Sequence, residues 1–258
     1  MQILFIAPII HLLGFKGNGQ EWSEVSLFLE AKMELRAIPM QRVAVMLAEE
    51  INIPIFKPLW LKQNEILKEE EFTDKTVITP VVSQFPNEKF QLDIWQNRVQ
   101  IMFSQRGFED SASDLERIFG GIVTKLPHTP YTAIGYTFLF AAVGAAIGDF
   151  ARWNHEHFIA SCVPKEKVDD SARFGCYFSN DQLGMRLRVD IKPAKNGKSI
   201  PNITPAIDPD QEFMLININL EHNIDESGRP DEIIQTLKKW SDAVKIAEEI
   251  AEKMGDLK

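Results

Sequence analysis

Two stretches of this chain repeat one order of elements, and that order limits the folds open to it. Residues 77–126 and 172–254 each alternate apolar and polar residues over three short strands, then switch to the spacing of an amphipathic helix. Alternation with period two makes a half-buried strand, and apolar residues three and four apart make a one-sided helix. Strands that follow one another through short turns pair antiparallel, and the helix must bury its stripe against them. The expected class is therefore α+β: two βββα halves, each an antiparallel sheet packed against a helix. The expected division is a half over 1–150 and a half over 151–258, which together could form one compact domain.

In the first half the strands are expected at 77–85, 89–95 and 98–104, where β-branched and aromatic residues concentrate. Gln96-Asn97 is a two-residue connection, which sets a tight hairpin. Ser113 with Glu116 reads as a capping box, opening a helix striped by Leu115, Ile118, Phe119, Ile122 and Leu126 and ended by Pro127. In the second half strands are expected at 172–178, 183–192 and 212–220, with Asn180-Asp181 as the first turn and a Pro-rich loop over 193–210. Pro230 suits a first helical position, Asp231 and Glu232 suit the positive end of the helix dipole, and Gly255 suits its stop.

That last helix carries Ile233, Leu237, Trp240, Val244, Ala247, Ala251 and Met254 at alternating steps of four and three. Such a seam has the coiled-coil period, which makes Ile233, Leu237, Trp240 and Val244 candidates for binding a partner. The favoured reading is a helix lying across its own sheet. The first seventy residues give weaker signals: a strand at 2–13, a Gly-rich turn, and a helix over 41–50 bounded by Pro39 and Pro54. The run 64–71 ends in three glutamates and reads as a solvated turn. Residues 129–148 carry no charge and are long enough to span a membrane. Pro130, Thr132 and Tyr136 with the alternation over 131–140 favour a buried strand instead, running into a helix near 141–152.

Charge excludes some partners. With 37 acidic and 28 basic residues the net charge is −9, which works against general attraction to phosphate backbones or anionic membranes. The one local basic excess is Arg186, Arg188, Lys192, Lys195 and Lys198, of which Arg186, Arg188 and Lys192 form a candidate anion-binding stripe on one strand face. Two cysteines are too few for a disulfide framework, which points to a reducing, cytoplasmic setting.

Motifs for chemistry are sparse. His155, His157, Cys162 and Cys176 are all competent zinc ligands, but no C-x-x-C or H-E-x-x-H accompanies them. No G-x-S-x-G occurs, and the Gly14, Gly17 and Gly19 turn lacks the order and the lysine of a phosphate loop. Glu221-His222, with Asp225 close behind, sits at a strand end where acid–base work is conceivable. The expected function is that of a non-enzymatic, cytoplasmic binding or assembly protein acting through a protein partner or self-association, without a cofactor. The alternatives are a zinc-dependent enzyme built on the His155, His157, Cys162 and Cys176 cluster, and a small-molecule module between the Trp240 helix and its sheet.

Overall fold

A computed structural model describes residues 36–143, 176–195, 212–225 and 230–255. All of them belong to one compact unit spanning 33–258. Their strands are β1 (Arg36–Ala48), β2 (Val77–Ile78), β3 (Val82–Pro86), β4 (Phe90–Trp95), β5 (Arg98–Phe103), β6 (Tyr131–Val143), β7 (Cys176–Gln182), β8 (Met185–Lys195) and β9 (Glu212–Asn223). They join one antiparallel sheet in the order β2-β3-β4-β5-β1-β6-β9-β8-β7. The antiparallel α+β class expected from the alternation is present, with all nine strands in a single sheet.

β1 and β6, two of the longest strands, lie side by side near the middle and pair from Arg36 against Val143 to Ala48 against Tyr131. The helix expected over 41–50 is therefore β1. Ala44, Met46 and Leu47 are good helix formers, but ladders on both sides override a weak local preference. Pro39 lies inside this strand at a register shift, and the β5 ladder begins only at Arg42, so the residue lacking an N–H sits beside a bulge. Within the uncharged stretch Tyr131–Val143 forms β6, so 141–143 are strand rather than helix. The rest of the helix expected near 141–152 lies outside the described residues, and no described helix is long and apolar enough to cross a membrane.

Two turns differ in outcome. Gln96-Asn97 links β4 to β5, pairing Trp95 with Arg98 as the spacing requires. In the second half the turn is not Asn180-Asp181, which lie within β7, but Leu183-Gly184. Both turn residues take positive φ, 56° and 68°, the conformation a tight two-residue hairpin demands of its central pair. Asn and Asp advertise such turns from sequence, whereas a leucine there does not.

The helices lie on one face. Residues Ser111–Leu115 and Gly121–Lys125 form one helical run interrupted by a π turn at Glu116–Gly120. Its start is not a capping box. Asp110 precedes the first turn without a side-chain cap bond, and the Ser113 hydroxyl donates back to the Asp110 carbonyl at 2.9 Å. The C-terminal helix is two, Pro230–Leu237 and Trp240–Gly255. The break follows from Tyr136, whose hydroxyl donates to the Thr236 carbonyl at 2.7 Å. In a continuous helix that carbonyl would receive the Trp240 N–H; here it takes Tyr136 and, three residues on, the Lys239 N–H at 2.9 Å.

The long helix crosses β6, β1 and β9. Ala243, Ala247 and Ala251 are fully buried along it, so the small residues bring the helix down onto its own sheet. Facing them, alternate residues of the strands (Ala44, Ile101, Phe103, Phe138, Leu187, Ile218) close the main core. Gly107 marks a close approach at its margin: a Cβ there would stand 2.2 Å from the Lys89 carbonyl oxygen. Gly107→Ala is expected to lower stability by about 1–3 kcal/mol, since backbone must move to admit the methyl. A urea midpoint equal to that of the parent would contradict this packing.

Candidate functional site

Strand alternation sends every second side chain to the face opposite the helices, and the register assembles those side chains into rows. One row runs Gln84, Asp93, Gln100, Val45, Gly135, Glu221, Arg186, Asp181. Its neighbour runs Gln91, Met102, Val43, Thr137, Asn219, Arg188, Ser179. Among the described residues no helix lies on this face.

Its polar side chains are largely bonded to one another. The Thr137 hydroxyl donates to Asn219 Oδ1 at 2.7 Å, and Asn219 Nδ2 donates to Asn217 Oδ1 at 3.1 Å. Asp93 is buried and accepts from the Gln84 and Gln91 amides at 3.0 Å. The Arg98 guanidinium lies 4.1 Å over the Trp95 ring, and Leu47 stands 37% exposed beside them. At one end the face turns apolar, where Ala141, Phe213 and Leu215 are buried together with Met40, Leu139, Val143 and Ala194 around them.

The candidate basic stripe falls on this face too. Arg186, Arg188 and Lys192 point away from the helices, while Leu187, Val189 and Ile191 between them enter the core. Each cation meets an acid: Arg186 with Asp181 at 2.9 Å, Arg188 with Glu221, and Lys192 with Asp190 at 3.0 Å. The stripe is thus a set of exposed, compensated pairs, with no concentrated field to hold an anion.

The four candidates on the C-terminal helices are placed differently. Ile233, Leu237 and Trp240 are buried in the protein's own core, and Val244 packs partly buried against it. Trp240 stands among Phe103, Tyr136 and Phe138 with ring centroids 5.7, 5.0 and 5.2 Å away, and its Nε1–H donates to the Ser111 hydroxyl at 3.1 Å. The seam is consumed by the sheet, as the favoured reading expected. A surface formed from these residues would require unpacking the core.

The zinc candidates His155, His157 and Cys162 lie outside the described residues, as does the expected 150/151 boundary. Cys176 opens β7, its side chain likewise outside the description. Among the described residues no three His, Cys, Asp or Glu side chains are grouped to hold a metal. His222 is brought between two acceptors, the Gly184 carbonyl at 3.2 Å from Nδ1 and Glu232 Oε1 at 2.7 Å from Nε2. With both ring nitrogens engaged, the ring ties the β7–β8 turn and β9 to the Pro230–Leu237 helix and has no nitrogen left for a substrate proton.

Sequence reasoning missed a charged clamp beneath the sheet. Arg117, in the π turn, donates to both Glu71 oxygens at 2.7 and 3.1 Å, to Asp114 Oδ1 at 2.7 Å and to the Ile66 carbonyl at 2.5 Å. Glu71 closes the glutamate run expected to be solvated, yet its side chain is only 12% exposed. The one available signal was Asp114 three residues before Arg117, a pair that shares a helix face. An open groove of about 810 Å³ lies where β1 leaves the sheet and β6 enters, bordered by Glu50, Pro80, Val81, Lys125 and His128. Tyr131 follows it, and burial pushes its hydroxyl up to about 12. Comparison with protein-family models, curated proteins and solved structures returned no match.

Proposed function

We propose that this protein works by association: a non-enzymatic, cytoplasmic binding or assembly protein that engages another protein through the sheet face opposite its helices. The observation that carries this reading is that, among the described residues, helices lie on one face of the sheet and none on the other. That other face carries rows of amides, hydroxyls and ion pairs with Trp95, Met102 and Leu47 among them. Such a mixture, apolar in patches and with its cations matched to acids, is suited to a protein surface. The net charge of −9 and the acids beside Arg186, Arg188 and Lys192 favour a protein over a nucleic acid.

We also read the sheet as two halves. The β3-β4-β5 meander stands on one side of the β1–β6 pair and β9-β8-β7 on the other, and each run of strands is followed in sequence by helices, the last of which crosses the central pair. That order supports two βββα units sharing one sheet, each led by a long central strand.

Gln100→Lys together with Leu47→Asp tests the face without touching the core. The pair is expected to leave the thermal midpoint within a few degrees of the parent, since surface changes away from special features cost within about 0.5 kcal/mol each. A partner captured by the parent protein should be recovered at least about tenfold less, the equivalent of one lost contact of about 1.4 kcal/mol. Equal recovery by parent and variant would remove this face from the reading.

A further inference from the structure

We infer that β7 is a docking edge for the β7 of a second copy, so that two sheets join antiparallel about a two-fold axis at Phe178. This rests on the reading of the protein as one that acts by association, and it names the partner and the surface.

The argument begins with the turn. A two-residue hairpin closes on a hydrogen-bonded pair, here Gln182 and Met185. Counting back by twos, Asn180, Phe178 and Cys176 aim their backbone groups at β8, and Asp181, Ser179 and Tyr177 aim theirs outward. Among the described residues no strand lies beyond β7. Edges are ordinarily protected by lysine, proline, bulges or brevity. The other edge, β2, is two residues long and followed by Pro80. β7 is seven residues long and contains neither lysine nor proline. It exposes two aromatics, Tyr177 at 66% and Phe178 at 47%.

A second copy fits all of these features with one operation. With the axis at Phe178, outward-facing Tyr177 pairs with outward-facing Ser179 of the second copy, so every new ladder bond joins a donor and an acceptor that no described strand takes. Phe178 then meets its equivalent as the close, non-hydrogen-bonded pair on the helix side. On the other side the two Tyr177 rings become diagonal neighbours. The strand's one charge, Asp181, is held by its own Arg186 at 2.9 Å and falls at the far end of the pairing, so like charges do not meet. The surface is self-complementary, as a two-fold interface requires. An edge of this length buries less than the roughly 1,200 Å² typical of stable complexes, so the dimer is a weak one in the micromolar range.

The test is sedimentation velocity of the full chain over a range of concentrations, with Ser179→Pro and Phe178→Ala beside the parent. Ser179 directs its N–H outward, so proline there removes a docking donor and leaves the β8 ladder intact. Ser179→Lys, which adds a charge beside the axis, opposite Tyr177 of the second copy, is a second block should proline disturb the strand. The expected result is a monomer–dimer equilibrium in the parent, weakened at least about tenfold in each variant whose circular dichroism and melting match the parent. A parent that stays monomeric at every concentration overturns the inference, as does a dimer that folded variants leave unchanged. Neither result bears on capture of a different protein by the open face, which the Gln100 and Leu47 substitutions read separately.

Discussion

Replacing Trp240 by alanine is expected to lower the free energy of unfolding by about 3–5 kcal/mol, the range for truncating a large buried aromatic. Trp240 is 1% exposed and touches rings from β5 and β6, which makes it the point where the long helix is fixed to the sheet. Truncation removes the ring's dispersion contacts and leaves a cavity bounded by Phe103, Tyr136 and Phe138, which the rigid strands beneath cannot close. The hydrogen-bonding loss is small, because the Ser111 hydroxyl keeps its own bond to the Phe108 carbonyl at 2.8 Å. Trp240→Phe should recover most of the loss. Urea denaturation reads both, and a shifted midpoint with unchanged slope is the expected form. A Trp240→Ala protein as stable as its parent would mean that the helix is not held here.

The second large effect belongs to Arg117. Arg117→Met should cost about 3 kcal/mol or more, because it leaves the carboxylates of Glu71 and Asp114 facing one another without their shared cation. Their side chains are 12% and 10% exposed, and Asp114 Oδ2 already has no partner. Three elements would loosen together: the Glu69–Glu71 turn, the segment at Ile66 and the π turn itself. Adding Glu71→Gln and Asp114→Asn to Arg117→Met should return part of the loss by removing the uncompensated charges. If the single and triple variants are equally destabilised, the clamp acts through packing alone.

Which parts of this fold were legible depended on where the determining forces sit. Strands β3 to β5, β8 and β9 announce themselves by alternation, because apolar residues that face the helices alternate with mostly polar ones on the other side. The Gln96-Asn97 turn is encoded locally and is placed where its spacing puts it. β1 is different: its residues suit a helix, and only β5 and β6, distant in sequence, make it a strand. The turn at Leu183-Gly184 was displaced from Asn180-Asp181 because the whole β7–β8 register chose it over better turn formers. The break after Leu237 depends on a tyrosine a hundred residues earlier. For the candidate surfaces, the C-terminal seam expected on one helix falls on two, and the burial of Ile233, Leu237 and Trp240 follows from the sheet that Ala243, Ala247 and Ala251 approach. The basic stripe was visible as a list of cations, but Asp181, Glu221 and Asp190 become its partners only through the strand register.

The central claim is that association uses the sheet face on which no described helix lies, and photo-crosslinking reads it most directly. A photoreactive residue at Gln100 lies in the middle of that face, and one at Lys245 lies on the exposed side of the long helix. In a cell extract the account predicts a discrete crosslinked protein from position 100 that competes away with unlabelled parent, and none from position 245. Adducts that form at 245 and not at 100 would contradict it.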